Sequence, residues 1–180
     1  MSPQTKRRQG AAVSIIAIVA ALVLAPAPAY AYTTTGCKWI TGNLGVKNTL
    51  SGTASHNALD AALNNYTLGT DVNLTPTNNI HEPFLTEQYN FGATGWEGQA
   101  TWTCPTGWTT GGMARLNTYY VGGATEGRLR VVWLHEVGHV LGLSHVTVTA
   151  RVMYTSASSA YNAGVRNLTS DEVAGINFLY

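Results

Sequence analysis

Cysteine, charge and long apolar runs are all scarce in this 180-residue chain, and each shortage removes a class of protein. The two cysteines, Cys37 and Cys104, stand in no Cys-x-x-Cys spacing, which argues against a cysteine-ligated metal site. Charged residues make up 11% of the chain against 45% hydrophobic ones, a balance that supports a buried core and excludes disorder throughout. Three of the ten basic residues, Lys6, Arg7 and Arg8, lie at the start, and the seven beyond them face nine acidic residues. That balance excludes a nucleic-acid partner held by phosphate neutralisation. The longest apolar run, residues 11–25, falls short of the roughly 20 residues that a bilayer-spanning helix needs. Internal repeats and Pro-rich or Ser-rich linkers are absent as well, so one domain is expected.

The apolar run follows the basic stretch and precedes Pro26, Pro28 and the small-residue triplet Ala29-Tyr30-Ala31, the layout of a signal peptide. Residues 1–31 are therefore expected to be cleaved and residues 32–180 to fold. The mature protein is expected to be secreted, extracellular, monomeric and free of the membrane. Both cysteines then enter an oxidising compartment, where one Cys37–Cys104 disulfide is the simplest reading and two free thiols the alternative. Closing that loop stabilises the fold by about 4 kcal/mol in the chain-entropy model.

Along residues 32–180 the pattern predicts an α+β fold. Residues 54–68 carry Ala58, Leu59, Ala61, Ala62, Leu63 and Tyr66 at helical spacing. Residues 70–120 hold short Val-, Thr- and aromatic-rich segments cut by Pro76, Pro83, Gly92, Gly95, Pro105, Gly111 and Gly112, which read as strands and loops. The clearest strands are 99–104 and 114–121. A second helix is expected from an N-cap at Thr125 through Leu129, Val132, Trp133, Val137 and Val140, ending at Gly142. The last helix carries a capping box, Thr169 with Glu172 three residues on, and Leu168 and Val173 are placed for a hydrophobic staple.

The decisive stretch runs from His135 to His145 and has the form HExxHxxGxxH. His135 and His139 are four apart on the second helix, so both can offer an imidazole nitrogen to one ion. Glu136 lies beside them, where its carboxylate can reach a metal-activated water without taking a ligand position. Gly142 permits a turn that brings His145 back as third ligand. Three neutral imidazoles around Zn²⁺ leave one position open and the ion with its full charge, the pattern of a catalytic zinc site.

This motif resembles that of the metzincin zinc peptidases, and further matches resemble the matrixin type. Val152-Met153-Tyr154 follows His145 at a matrixin-like spacing, which makes Met153 the methionine of the turn beneath the metal. The closing run from Leu168 to Tyr180, with its Gly175-Ile176 pair and final Leu179-Tyr180, is similar to the family's last helix. The resemblance implies a metzincin-like α+β fold: a twisted five-stranded mixed sheet, three helices, a Met-turn and zinc in the cleft between an upper and a lower part. It implies a zinc-dependent endopeptidase that cleaves protein or peptide substrates with zinc-activated water and Glu136 as general base. It also implies an edge strand that takes the substrate as an added antiparallel strand. Gln99, Ala100, Thr101, Trp102 and Thr103 are the candidates. Tyr154 is the candidate for the specificity pocket, with a packing role as its alternative, and residues 155–167 are expected to form the loop that shapes the pocket. Two other readings stay open: a secreted zinc-containing binding or inhibitory protein without turnover, and a zinc amidase acting on a non-protein substrate.

The departures concern additional metals. Matrixins typically hold a second zinc and several calcium ions, for which this chain has only His56 and His81 to spare. Asp71, Glu82, Glu87, Glu97 and Glu126 form no recognisable calcium loop, so Ca²⁺ has thin support and any such site would rest on carbonyl oxygens. Cys37, in Thr35-Gly36-Cys37-Lys38, does not match the family's latency switch.

Overall fold

Short β-branched and aromatic segments alternate with one long Ala/Leu-patterned stretch and one Val/Leu/Trp-rich stretch that also carries histidines and charges, and the fold follows from how these bury their faces. The computed structural model describes residues 32–180, so the signal-peptide expectation for residues 1–31 lies outside the described residues. In chain order the elements are Thr33–Thr34 (β1), Asn43–Lys47 (β2), Thr53–Gly69 (α1), Asn73–Thr77 (β3), Phe84–Tyr89 (β4), Gly98–Thr103 (β5), Gly111–Asn117 (β6), Thr118–Val121 (α2), Glu126–Val140 (α3), Leu143–Ser144 (β7), Ala157–Asn162 (α4) and Ser170–Leu179 (α5). The expected five-stranded mixed sheet is present, in the order β3-β2-β4-β6-β5. Its first four strands are parallel, and β5 pairs antiparallel with β6 from Gly98↔Leu116 to Thr103↔Gly111. That leaves β5 as an edge with one unpaired side. Strands β1 and β7 form a separate antiparallel pair.

Helix α1 buries Ala58, Leu59, Ala62, Leu63 and Tyr66 along one stripe against α3. Helix α3 is buried nearly all round, from Val131 to Gly138, because the sheet, α1 and α4 enclose it. A helix buried on that many sides belongs inside a core, and the two polar residues it buries there are His135 and Glu136. Thr125 caps its start by accepting the Arg128 N–H at 3.4 Å. At its end Trp39 Nε1 donates to the Val140 carbonyl at 3.0 Å and the Tyr180 hydroxyl to that of Leu141 at 2.9 Å. Gly142 turns the chain at φ 111°, and a Cβ there would lie 2.2 Å from the Cys37 carbonyl oxygen. Cys37 and Cys104 form the expected disulfide.

Three differences from the sequence pattern have local causes. The strand expected over 114–121 stops at Asn117, whose buried carboxamide accepts the N–H groups of Phe91 and Tyr119 and starts the turn α2. The expected loop 155–167 contains α4, started by Ser156, whose hydroxyl accepts the Ser159 N–H. The three expected helices are α1, α3 and α5, and the two short ones are additional.

Candidate active site

Helix α3 carries His135 and His139 on one face, and the turn at Gly142 returns the chain through β7 to His145. The three Nε2 atoms converge: 3.1 Å between His135 and His139, 3.1 Å between His139 and His145, and 3.2 Å between His135 and His145. Tetrahedral coordination at the usual Zn–N distance separates two nitrogens by about 3.3 Å. The Nδ1 atoms decide which nitrogen carries the proton. His135 Nδ1 lies 2.8 Å from the Val152 carbonyl and His139 Nδ1 lies 2.9 Å from that of Leu143. A carbonyl only accepts, so both rings are protonated at Nδ1 and turn Nε2 lone pairs inward. Lone pairs facing one another at this range repel unless a cation lies among them, so the donor set fits a single metal ion. Among the described residues this is the one group of three or more metal-ligating side chains close enough to share an ion.

Burial keeps the histidines neutral and ready to ligate. It pushes His135 down to about 3, with the charges of His139 and His145 adding to the effect, and His139 down to about 4; His145 is lowered as well, again by burial. Thr33 donates its hydroxyl to the His145 carbonyl at 2.7 Å, so the β1 strap holds the segment that carries the third ligand.

Met153 packs against α3 at Gly138. A Cβ on Gly138 would come within 2.6 Å of the Met153 sulfur and 2.8 Å of the Tyr66 hydroxyl oxygen, so a glycine is what lets both approach. The Met153 N–H donates to buried Glu172 at 3.2 Å, and the Met153 carbonyl accepts from Val146 at 2.9 Å. Glu172 also accepts from the Thr169 N–H at 2.9 Å, so the carboxylate that caps α5 holds the Met-turn. Its neighbour Asp171 accepts from Arg151 Nε at 2.5 Å.

Glu136 is 4% exposed and opens into the same cleft as the histidines. Burial, with the charge of Glu97 second, pushes its carboxyl up to about 8; a dication nearby acts in the opposite sense. The carboxylate occupies the place a side chain on residue 98 would need, since a Cβ on Gly98 would lie 2.4 Å from Oε1.

The cleft encloses about 690 Å³. Gly98, Gln99, Ala100 and Trp102 of β5 form part of its wall. The Trp102 ring stacks on His139, centroids 6.4 Å apart and planes 22° apart. Tyr154 is half-buried against the core, and the lining after the Met-turn begins one residue later, at Thr155. Sequence reasoning missed Gly98, Glu172 and a cleft-lining cluster of Glu97, Arg128 and Ser158. The one available signal was Glu172, already visible as a capping residue. His56 pairs with Asp60 at 3.3 Å, Glu87 with Arg115 and Glu82 with Asn79, none of them near the triad.

A mixed sheet over three converging histidines that fit one metal ion, with a buried glutamate in the same cleft and Met153 packed below, defines a metallohydrolase-type architecture. Residues 47–180 match the matrixin family model, and the chain belongs to the matrixin family. It is similar to metalloendoproteinase 2-MMP of Arabidopsis thaliana, 40% identical over 52 residues that span 29% of this chain and 13% of that protein. It is also similar to matrilysin of Mus musculus, 48% identical over 46 residues, 26% of this chain and 17% of that one. The aligned stretches therefore cover less than a fifth of either relative.

Proposed function

We propose that this matrixin is a secreted zinc endopeptidase that binds its substrate as an extended strand along β5. The observation that carries the proposal is the convergence of three Nε2 atoms within 3.2 Å of one another in the cleft that also holds Glu136. His135, His139 and His145 would hold the ion, with the carbonyls of Val152 and Leu143 fixing the first two rings. A zinc ion bound there would supply Lewis acidity toward the scissile carbonyl and a water of lowered pKa. Glu136 takes a proton from the attacking water and delivers it to the nitrogen of the departing amine, so the carboxylate is regenerated and no covalent enzyme intermediate forms. The free edge of β5 offers backbone groups to an antiparallel substrate strand. Antiparallel alignment puts the residue after the cut toward Gly98 and Glu97, and the residues before it toward Trp102. Secretion is supported by the composition of residues 1–31 and by the disulfide.

Cleavage of casein by residues 32–180 tests the proposal, beside a Glu136→Ala variant of verified zinc content. Activity in the parent and a fall of about 10²- to 10⁴-fold in the variant, with one zinc retained, are expected. Two zinc-loaded proteins that both leave casein and a broad peptide library intact would sink the peptidase assignment. A binding role or a non-protein amide substrate would then lead.

A further inference from the structure

At the end of the cleft where β5 begins, side chains from three elements close on one another. Glu97, just ahead of β5, accepts from the Ser158 N–H at 2.8 Å and from the Ser158 hydroxyl. Arg128 of α3 donates Nε to Ser158 Oγ at 2.9 Å and sets Nη2 3.5 Å from Glu97 Oε2. All three residues line the cleft with His135 and Glu136. They tie the segment that leads into β5 to α4, beyond the Met-turn, at that end of the groove. Proton transfer and metal ligation need none of them.

The inventory of donors and acceptors leans toward donors. Both oxygens of Glu97 already accept within the cluster, Oε1 from the Ser158 N–H and Oε2 from the Ser158 hydroxyl and Arg128, so part of its acceptor capacity is taken up. Arg128 carries five N–H donors, and its Nη1 has no partner among the described residues. Arg128 lines the cleft and 36% of its side chain is exposed. Its positive charge is already matched by Glu97.

We propose that Glu97, Arg128 and Ser158 form the floor of the subsite for the side chain that follows the cleaved bond. This floor selects a neutral side chain ending in a hydrogen-bond acceptor, glutamine above all, with Arg128 as the residue that reads it. The placement rests on the antiparallel substrate alignment of the peptidase proposal. An aliphatic side chain would cover Arg128 donors without replacing the water they lose, and a site built to bond a polar tip discriminates strongly against an analogue that lacks one. An acidic tip would meet the carboxylates of Glu97 and Glu136 in the same cleft without gaining a free cation. A basic tip would meet the like charge of Arg128 and would have to share Glu97 with Arg128 and Ser158.

Short peptides bearing an N-terminal hydroxamate test this on the zinc-loaded protein. The hydroxamate anchors on the metal, and the first side chain then enters the subsite whether or not the protein cuts. Four probes carry Gln, Leu, Glu or Gly at that position, and affinity is read by calorimetry. The expected order puts Gln tightest, about tenfold or more ahead of Leu and Glu. Arg128→Met should erase the advantage of Gln over Leu, and Arg128→Lys should reduce it. Glu97→Gln should make the Glu probe the tightest by leaving the guanidinium unneutralised. Equal binding of the Gly probe across variants, with unchanged zinc content, controls for folding. Leu binding as tightly as Gln in the parent, or an unaltered Gln-to-Leu ratio in Arg128→Met, overturns the proposal. A parent that ranks the probes as expected yet cleaves no peptide carrying Gln supports the subsite while defeating the peptidase assignment.

Discussion

Gly98 shows how one absent side chain shapes the site. Its position at the start of β5 is filled by the Glu136 carboxylate, which would stand 2.4 Å from any Cβ placed there. Gly98→Ala is therefore expected to displace Glu136 while leaving the histidines and the zinc in place. Its kcat should fall at least about tenfold, since small displacements of a positioned catalytic group are costly. Full activity in a zinc-loaded Gly98→Ala protein would mean that Glu136 works from elsewhere. The histidines make a second prediction at this scale. Burial holds His135 at about 3 and His139 at about 4, so these two have no proton to shed when they bind metal at pH 5.5; His145, lowered by burial as well, is the one ring left to titrate. In a Glu136→Gln background, which removes the other titrating group beside them, zinc affinity should change less than about tenfold between pH 5.5 and 7, where three ordinary imidazoles would change it on the order of several hundredfold. Competition with a chelating indicator at the two pH values measures this. A several-hundredfold change would show the rings to be solvated.

At the scale of elements, α5 does more than close the chain. Its N3 residue, Glu172, accepts the Met153 N–H as well as the Thr169 N–H, so the helix start and the Met-turn share one buried carboxylate. Glu172→Ala should cost about 2–4 kcal/mol, the sum of a lost cap and a stranded buried amide, and should weaken zinc binding with it. Denaturant unfolding of the chelated protein and a zinc titration test both parts. A loss below about 1 kcal/mol would mean that the Met-turn stands without α5. The legible and illegible parts of the site divide along this line. His135, Glu136 and His139 could be read because helical spacing puts them on one face, and His145 because Gly142 marks the turn. The caps of α3 and α5 were local signals too. Asn117 was not read as a strand end, because Tyr119, Tyr120 and Val121 have strand propensity and its capping bonds are seen only once Phe91 is in place. The Glu97–Ser158 bond joins residues 61 apart, and no local pattern announces such a contact. Tyr154 adjoins Met153 in sequence, yet the lining passes to Thr155.

For the whole molecule, a site built to hold a dication makes the metal-free fold sensitive to pH on both sides. Glu136, raised to about 8 from 4.5, keeps a proton in the folded state that the unfolded chain releases. Its contribution is fully present below pH 4.5 and is lost as pH rises through 8. The histidines act in the opposite direction. The unfolded chain binds protons near pH 6.5 that folded His135 and His139 refuse until about 3 and 4, so their contribution disappears as pH falls below 6.5. Between pH 6.5 and 8 Glu136 acts alone, and stability should fall by about 1 kcal/mol per pH unit. Between pH 6.5 and 4.5 two histidine protons oppose one carboxyl proton, which leaves a net loss of similar size on acidification. The metal-free protein should therefore be most stable near pH 6.5 and less stable at both pH 5 and pH 8. Saturating zinc should raise stability throughout this range, by about 2.7 kcal/mol at a hundredfold excess over Kd. Denaturant titrations of the chelated protein from pH 4.5 to 8.5 decide the matter. A curve that rises steadily to pH 8.5 would mean that Glu136 is charged in the metal-free fold, its carboxylate hydrated through the cleft in spite of its burial.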